Sequence, residues 1–130
     1  MDGEGLAELF APFAAVAVKR MFGGHGVYID GVCFAIEADG EVYLKADADT
    51  LAQFAAAGSS PFVYIARGKP TAMAYWRLVA SAYDDEEELK RWAALGLGAA
   101  RRAAAVKASK AKGAAAATKR RGAHVKRTRR

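Results

Sequence analysis

The sequence predicts an α+β fold in which an antiparallel β-sheet is flanked by helices and followed by a disordered basic C-terminal tail. Three observations carry this expectation. Residues 27–44 alternate apolar and polar side chains around two Asp-Gly steps, Asp30-Gly31 and Asp39-Gly40. Apolar residues recur at helical spacing near both ends of the first hundred residues, a periodicity that separates helix from strand. Residues 101–130 hold 12 Lys and Arg and no acid.

Asp2 to Ala11 sets Leu6, Leu9 and Phe10 on one helical face and then meets Pro12, which predicts a short amphipathic helix. A meander over residues 16–45 follows, its first strand at Ala15 to Phe22 with Val16 and Val18 on one face. Gly23, Gly24 and Gly26 surround His25 and suggest a phosphate-cradling loop. A dinucleotide fingerprint opens a helix, however, and a P-loop ends in Lys-Ser/Thr. Here the glycines lead into the strand Val27-Tyr28-Ile29, so they predict a structural turn.

Asp30-Gly31 predicts a two-residue hairpin, because both central positions need positive φ. Ile29 then faces Val32, Val27 faces Phe34 and His25 faces Ile36. A two-residue loop at Asp39-Gly40 would turn Val42 and Leu44 off that apolar face, since a one-residue slip inverts every side chain. A three-residue loop, Ala38-Asp39-Gly40, is therefore expected, with Ile36 opposite Val42 and Phe34 opposite Leu44. The second face would carry Tyr28, Cys33 and Lys45 in one row and Ala35 and Tyr43 in the next.

Asp47 or Asp49 is expected to cap a helix bearing Leu51, Phe54 and Ala55 and stopped by Gly58. Strands near 62–66 and 71–78 follow, joined by the basic turn Arg67-Gly68-Lys69-Pro70. Asp84 and Glu87 form a capping-box pattern. The helix beyond presents Leu89, Trp92, Ala93 and Gly96 on one stripe, suited to lying across the sheet.

At 130 residues and 53% hydrophobic content, the chain suits one small domain, residues 1–100. That body has 8 Lys and Arg against 14 Asp and Glu, a net −6, while residues 101–130 carry +12. The tail has ten alanines and no aromatic, Leu or Ile. It cannot bury enough apolar surface to offset its ordering entropy, although Ala, Lys and Arg let its first part extend the last helix. One cysteine permits no internal disulfide, and no apolar leader or membrane-length run precedes the domain. A cytoplasmic protein is expected, with Cys33 a small hydrophobe in a strand.

His25, His124 and Cys33 show no metal-ligand spacing, and Ser59, Ser60, Ser81 and Ser109 lack a nucleophile elbow or a nearby His. The carboxylate pairs are better read as helix starts than as acid and base. No catalytic, metal or cofactor-binding residue is expected. The candidate nucleic-acid-binding residues are Arg101, Arg102, Lys107, Lys110, Lys112, Lys119, Arg120, Arg121, Lys126, Arg127, Arg129 and Arg130, a density of cations that displaces counterions from a phosphate backbone without sequence preference. A membrane is disfavoured because no apolar face accompanies this charge. Arg20, His25, Lys69, Trp76 and Arg77 are the candidate partner surface; oligomeric state is not readable from the sequence.

The run Met21-Phe22-Gly23-Gly24-His25-Gly26-Val27-Tyr28, followed by Phe34, Tyr43-Leu44-Lys45, Phe54, Ala57-Gly58, Pro61-Phe62, Gly68-Lys69 and Met73-Ala74-Tyr75-Trp76-Arg77, resembles the TfoX/Sxy N-terminal domain over roughly residues 4–100. The resemblance implies a bacterial α+β domain with an antiparallel sheet, flanking helices and no associated catalytic chemistry. Better-known members are transcriptional coactivators of natural competence with a second, helical C-terminal domain, whose place the Lys/Ala/Arg-rich tail takes here. The expected function is a non-enzymatic regulatory module associated with nucleic acid through its tail. The alternative is a protein-interaction module that docks a transcription-related protein, with a solubilising tail.

Overall fold

In the computed structural model the elements run α1 (Gly3–Phe10), β1 (Ala17–Met21), β2 (Gly24–Ile29), β3 (Val32–Ala38), β4 (Glu41–Lys45), α2 (Leu51–Ala56), β5 (Pro61–Ala66), β6 (Lys69–Arg77), a 3-10 turn (Ala80–Tyr83) and α3 (Glu86–Thr128). The structure describes residues 1–21 and 23–128, and the side chains of all of these except residues 64, 66, 70–73 and 111–128. The six strands form one antiparallel sheet in the order β1-β2-β3-β4-β6-β5. The expected α+β class is the observed one.

Three hairpins have two-residue loops with positive φ at both positions: Asp30 and Gly31 (50° and 77°), Asp39 and Gly40 (52° and 82°), Arg67 and Gly68 (52° and 77°). This is the turn whose twist matches that of the strands. It corrects the three-residue loop expected at Ala38-Asp39-Gly40, since Ala38 pairs with Glu41. It also shortens the basic turn, because Lys69 and Pro70 belong to β6.

The expected register holds for two pairs, Ile29 with Val32 and Tyr28 with Cys33, and then breaks. A bulge sets Tyr28 opposite Cys33 but Val27 opposite Ala35, leaving Phe34 as the extra residue. Phe34 and Ala35 are consequently both fully buried, and the side chains beyond them exchange faces. His25 thus faces Glu37, not Ile36, and Val42 faces Glu37. The slip that a longer turn was expected to supply is supplied inside β3.

The helices pack on one face of the sheet. α1 begins at Asp2, whose Oδ1 accepts the Gly5 N–H at 2.8 Å, and buries Leu6 and Phe10. α2 buries Phe54. α3 lays Leu89, Trp92, Ala93 and Leu97 over Val27, Phe34, Val42 and Leu44 in one buried cluster. The expected stripe includes Gly96, where a Cβ would stand 3.2 Å from the Leu44 side chain and 3.3 Å from the Phe34 carbonyl oxygen. Glycine lets the helix approach the sheet this closely. Tyr83 closes the packing, its hydroxyl accepting the Val42 N–H at 3.1 Å.

Two helix starts differ from expectation. Asp84 N–H is held by the Ser81 carbonyl at the end of the 3-10 turn, so α3 begins one residue later. Asp85 Oδ1 then accepts the N–H groups of Glu87 and Glu88 at 2.9 and 3.3 Å. Thr50, not Asp47 or Asp49, immediately precedes α2, and its Oγ1 accepts the Asp47 N–H. Leu51 on that helix is 43% exposed. Beyond residue 100 the backbone remains helical through Thr128, where a disordered tail was expected. Ala, Lys and Arg are strong helix formers, and the segment grows from a helix already nucleated on the sheet, which removes the nucleation cost.

Candidate nucleic-acid interface

The docked part of α3 ends in two arginines that grip the body on either side. Arg102 donates from Nε to Asp47 Oδ2 at 2.7 Å and from Nη2 to Asp47 Oδ1 at 3.1 Å, with Asp49 Oδ2 at 3.3 Å from its Nε. The Arg102 hydrogen bonds hold the Asp47 carboxyl below its usual range, more than offsetting the upward pull of its desolvation. Arg101 Nη2 lies 3.7 Å from Asp30 Oδ2 in the β2–β3 turn. Sequence reasoning grouped both arginines with the nucleic-acid-binding cations, yet they also have acidic partners in the body, a pairing that only the fold discloses.

Every residue from Arg101 to Lys110 is exposed, Lys107 and Lys110 included. With Arg102 and Val106 they border a groove of about 590 Å³ whose other wall is the Asp47–Asp49 loop. Those carboxylates oppose a phosphate there. Lys112, Lys119, Arg120, Arg121, Lys126 and Arg127 lie on helical backbone, but their side chains fall outside the described residues, as do Arg129 and Arg130 altogether.

The candidate partner surface does not come together. Arg20 pairs across β1–β2 with His25, whereas Trp76 and Arg77 lie on β6 near the other side of the sheet. Trp76 sits opposite Leu44 with its ring 6.4 Å from Phe54, so it packs toward the helices. Arg77 points to the other face, its Nε 3.9 Å from Glu41 Oε2. Lys69 is exposed at the far end of β6.

His25 is not the solvated turn residue that its glycine neighbours suggest. It lies within β2 with Nδ1 2.6 Å from Glu37 Oε1, and Glu37, 6% exposed, accepts the Gly40 N–H on Oε2 at 2.8 Å. Burial pulls the Glu37 carboxyl upward, but the bonds from His25 and Gly40 with the nearby positive charge of the N-terminus outweigh it and hold the group below its usual range. The glycines themselves are structural. Gly23 has φ 76°, and a Cβ on Gly24 would meet the Glu37 carbonyl oxygen at 2.0 Å.

Among the described residues no three His, Cys, Asp or Glu side chains converge on a metal-sized site, and no helix is long and apolar enough to cross a membrane. Sequence reasoning missed that Tyr75 and Lys45 pair across β4–β6, on the sheet face away from the helices. No local pattern signals a contact between strands 30 residues apart in the chain. The family model described as TfoX N-terminal domain matches residues 8–100. No curated protein matches the chain.

Proposed function

Because the chain belongs to the TfoX N-terminal domain family, whose members point to a regulatory or competence-related role, we propose that it is a non-enzymatic cytoplasmic regulator that associates with DNA through the basic half of α3. The carrying observation is the division of charge. Glu88 is the last acid of the sequence, and 12 cations follow residue 100 while residues 1–100 sum to −6. The body repels a phosphate backbone and the helix attracts it, which orients the molecule on DNA without reading bases.

The 28 residues of α3 beyond residue 100 extend about 42 Å at the helical rise. With Arg101 and Arg102 engaged by the body, ten cations remain to displace counterions. This bounds the slope of log affinity against log salt at about −9 on duplex DNA. Deleting residues 111–130 removes eight cations, and in a gel shift the truncated chain is expected to lose duplex retention at physiological salt. Salt-insensitive binding, or no binding by the full chain, overturns the proposal.

A further inference from the structure

Residues paired across antiparallel strands share a face, so the register collects Lys19, Tyr28, Cys33, Tyr43, Lys45 and Tyr75 opposite the helices. The buried cluster that all three helices join contains Val27, Ala35 and Leu44, with Trp76 packed against it, but neither group includes Tyr28, Cys33, Lys45 or Tyr75. Among the described residues no helix covers this second face.

Its chemistry differs from that of the rest of the body. Strand alternation places Lys19, Lys45, Lys69 and Arg77 on it, with Glu41 as the single acid among the described strand residues and Arg77 already 3.9 Å from it. A body of net −6 thus turns four cations and one acid toward this side. The cations lie among aromatic rings. Lys19 Nζ is 5.0 Å from the Tyr28 ring centroid and Lys45 Nζ is 5.0 Å from that of Tyr75, while Tyr43 and Phe62 pack at 4.9 Å.

The tyrosine hydroxyls are turned inward along the face, Tyr75 Oη donating to Cys33 Sγ at 3.7 Å and Tyr28 Oη to Met21 Sδ at 3.9 Å. The Tyr28 and Tyr75 rings are held by these bonds and are half-buried. Tyr28 on β2 and Tyr75 on β6 stand three strand positions apart, about 14 Å at the usual strand spacing.

We infer that this open sheet face binds single-stranded nucleic acid, Lys19 and Lys45 swinging from the ring faces to the adjoining phosphates and the Tyr28 and Tyr75 rings so uncovered stacking unpaired bases. Stacking on fixed aromatic side chains together with a cationic track is the chemistry of single-strand recognition. Duplex DNA offers no free base faces, and a six-stranded sheet is too broad for its major groove. A second copy docking face to face would set cations against cations. The site is independent of the basic half of α3.

The test uses the full chain with a labelled oligothymidine of about 12 nucleotides and a matched duplex, at about 200 mM salt to suppress the contribution of α3. The double variant Lys19→Ala with Lys45→Ala, which removes no side chain of the buried cluster, is expected to weaken single-strand binding at least about tenfold and duplex binding less than about twofold. Tyr28→Leu is expected to weaken single-strand binding at least about fivefold and Tyr28→Phe to preserve it. Unchanged single-strand affinity in the lysine variant, equal losses on both probes, or equal displacement of the oligonucleotide by polyglutamate overturns the inference. Loss of duplex binding on deleting residues 111–130, with the single-strand effects intact, separates the fate of this site from that of α3.

Discussion

Gly24 and Glu37 meet where β2 lies against β3, and each shows a residue whose role is set by what stands opposite it. A Cβ at Gly24 would collide with backbone, 2.0 Å from the Glu37 carbonyl oxygen. Gly24→Ala is therefore expected to cost about 3 kcal/mol or more, read as a fall in the urea midpoint. Glu37 carries a pH dependence. Its carboxyl is held below the usual range because the His25 and Gly40 bonds outweigh burial, so the unfolded chain binds its proton first as pH falls. Its contribution is complete above the ordinary Glu value of about 4.3 and is lost as pH falls through the lower folded value. Glu37→Gln is expected to destabilise the protein at neutral pH and to flatten that acid limb, measured by urea unfolding across a pH series.

At the scale of elements, the sheet is built from local turns and one non-local correction. Asp30-Gly31 was legible because both residues state their own turn type, and the Ile29–Val32 pair follows directly. The bulge at Phe34 was not legible, because alternation through Cys33, Phe34 and Ala35 reads the same with or without an extra residue. It arises where both Phe34 and Ala35 gain burial under the helices. Gly40 sits at φ 82°, so Gly40→Ala is expected to lower stability by about 1–2 kcal/mol in urea unfolding. The two arginine clamps hold α3 to the body by exposed ion pairs, which are weak in stability. Asp30→Asn combined with Asp47→Asn and Asp49→Asn, which together remove every acid paired with the two arginines, is expected to change the urea midpoint little. By freeing Arg101 and Arg102 it should steepen the salt dependence of duplex binding by about two.

Across the whole molecule, stability and charge are separated along one helix. The buried cluster draws on residues from Leu6 to Ala100, whereas residues 101–110 are all exposed. Deleting residues 111–130 is accordingly expected to leave the urea unfolding midpoint within about 0.5 kcal/mol of the full chain's stability, as for surface changes that touch no core contact. A larger loss would mean that the basic half of α3 packs on the body.

The sequence by itself determined the α+β class, the family, the helix stripe of Leu89, Trp92, Ala93 and Gly96 and the division between an acidic body and a basic end. The family rests on the resemblance of the Met21-Phe22-Gly23-Gly24 and Tyr75-Trp76-Arg77 motifs, and the others rest on composition, short-range periodicity or turn chemistry. Only the tertiary structure decided the register beyond Tyr28–Cys33, the burial of Glu37 against His25, the capture of Arg101 and Arg102 by acids far away in the chain, and the gathering of Lys19, Tyr28, Lys45 and Tyr75 on one uncovered face. Those features depend on which strands become neighbours, and strand pairing is settled by the packing of the whole core, where a single extra residue at Phe34 reassigns every side chain that follows.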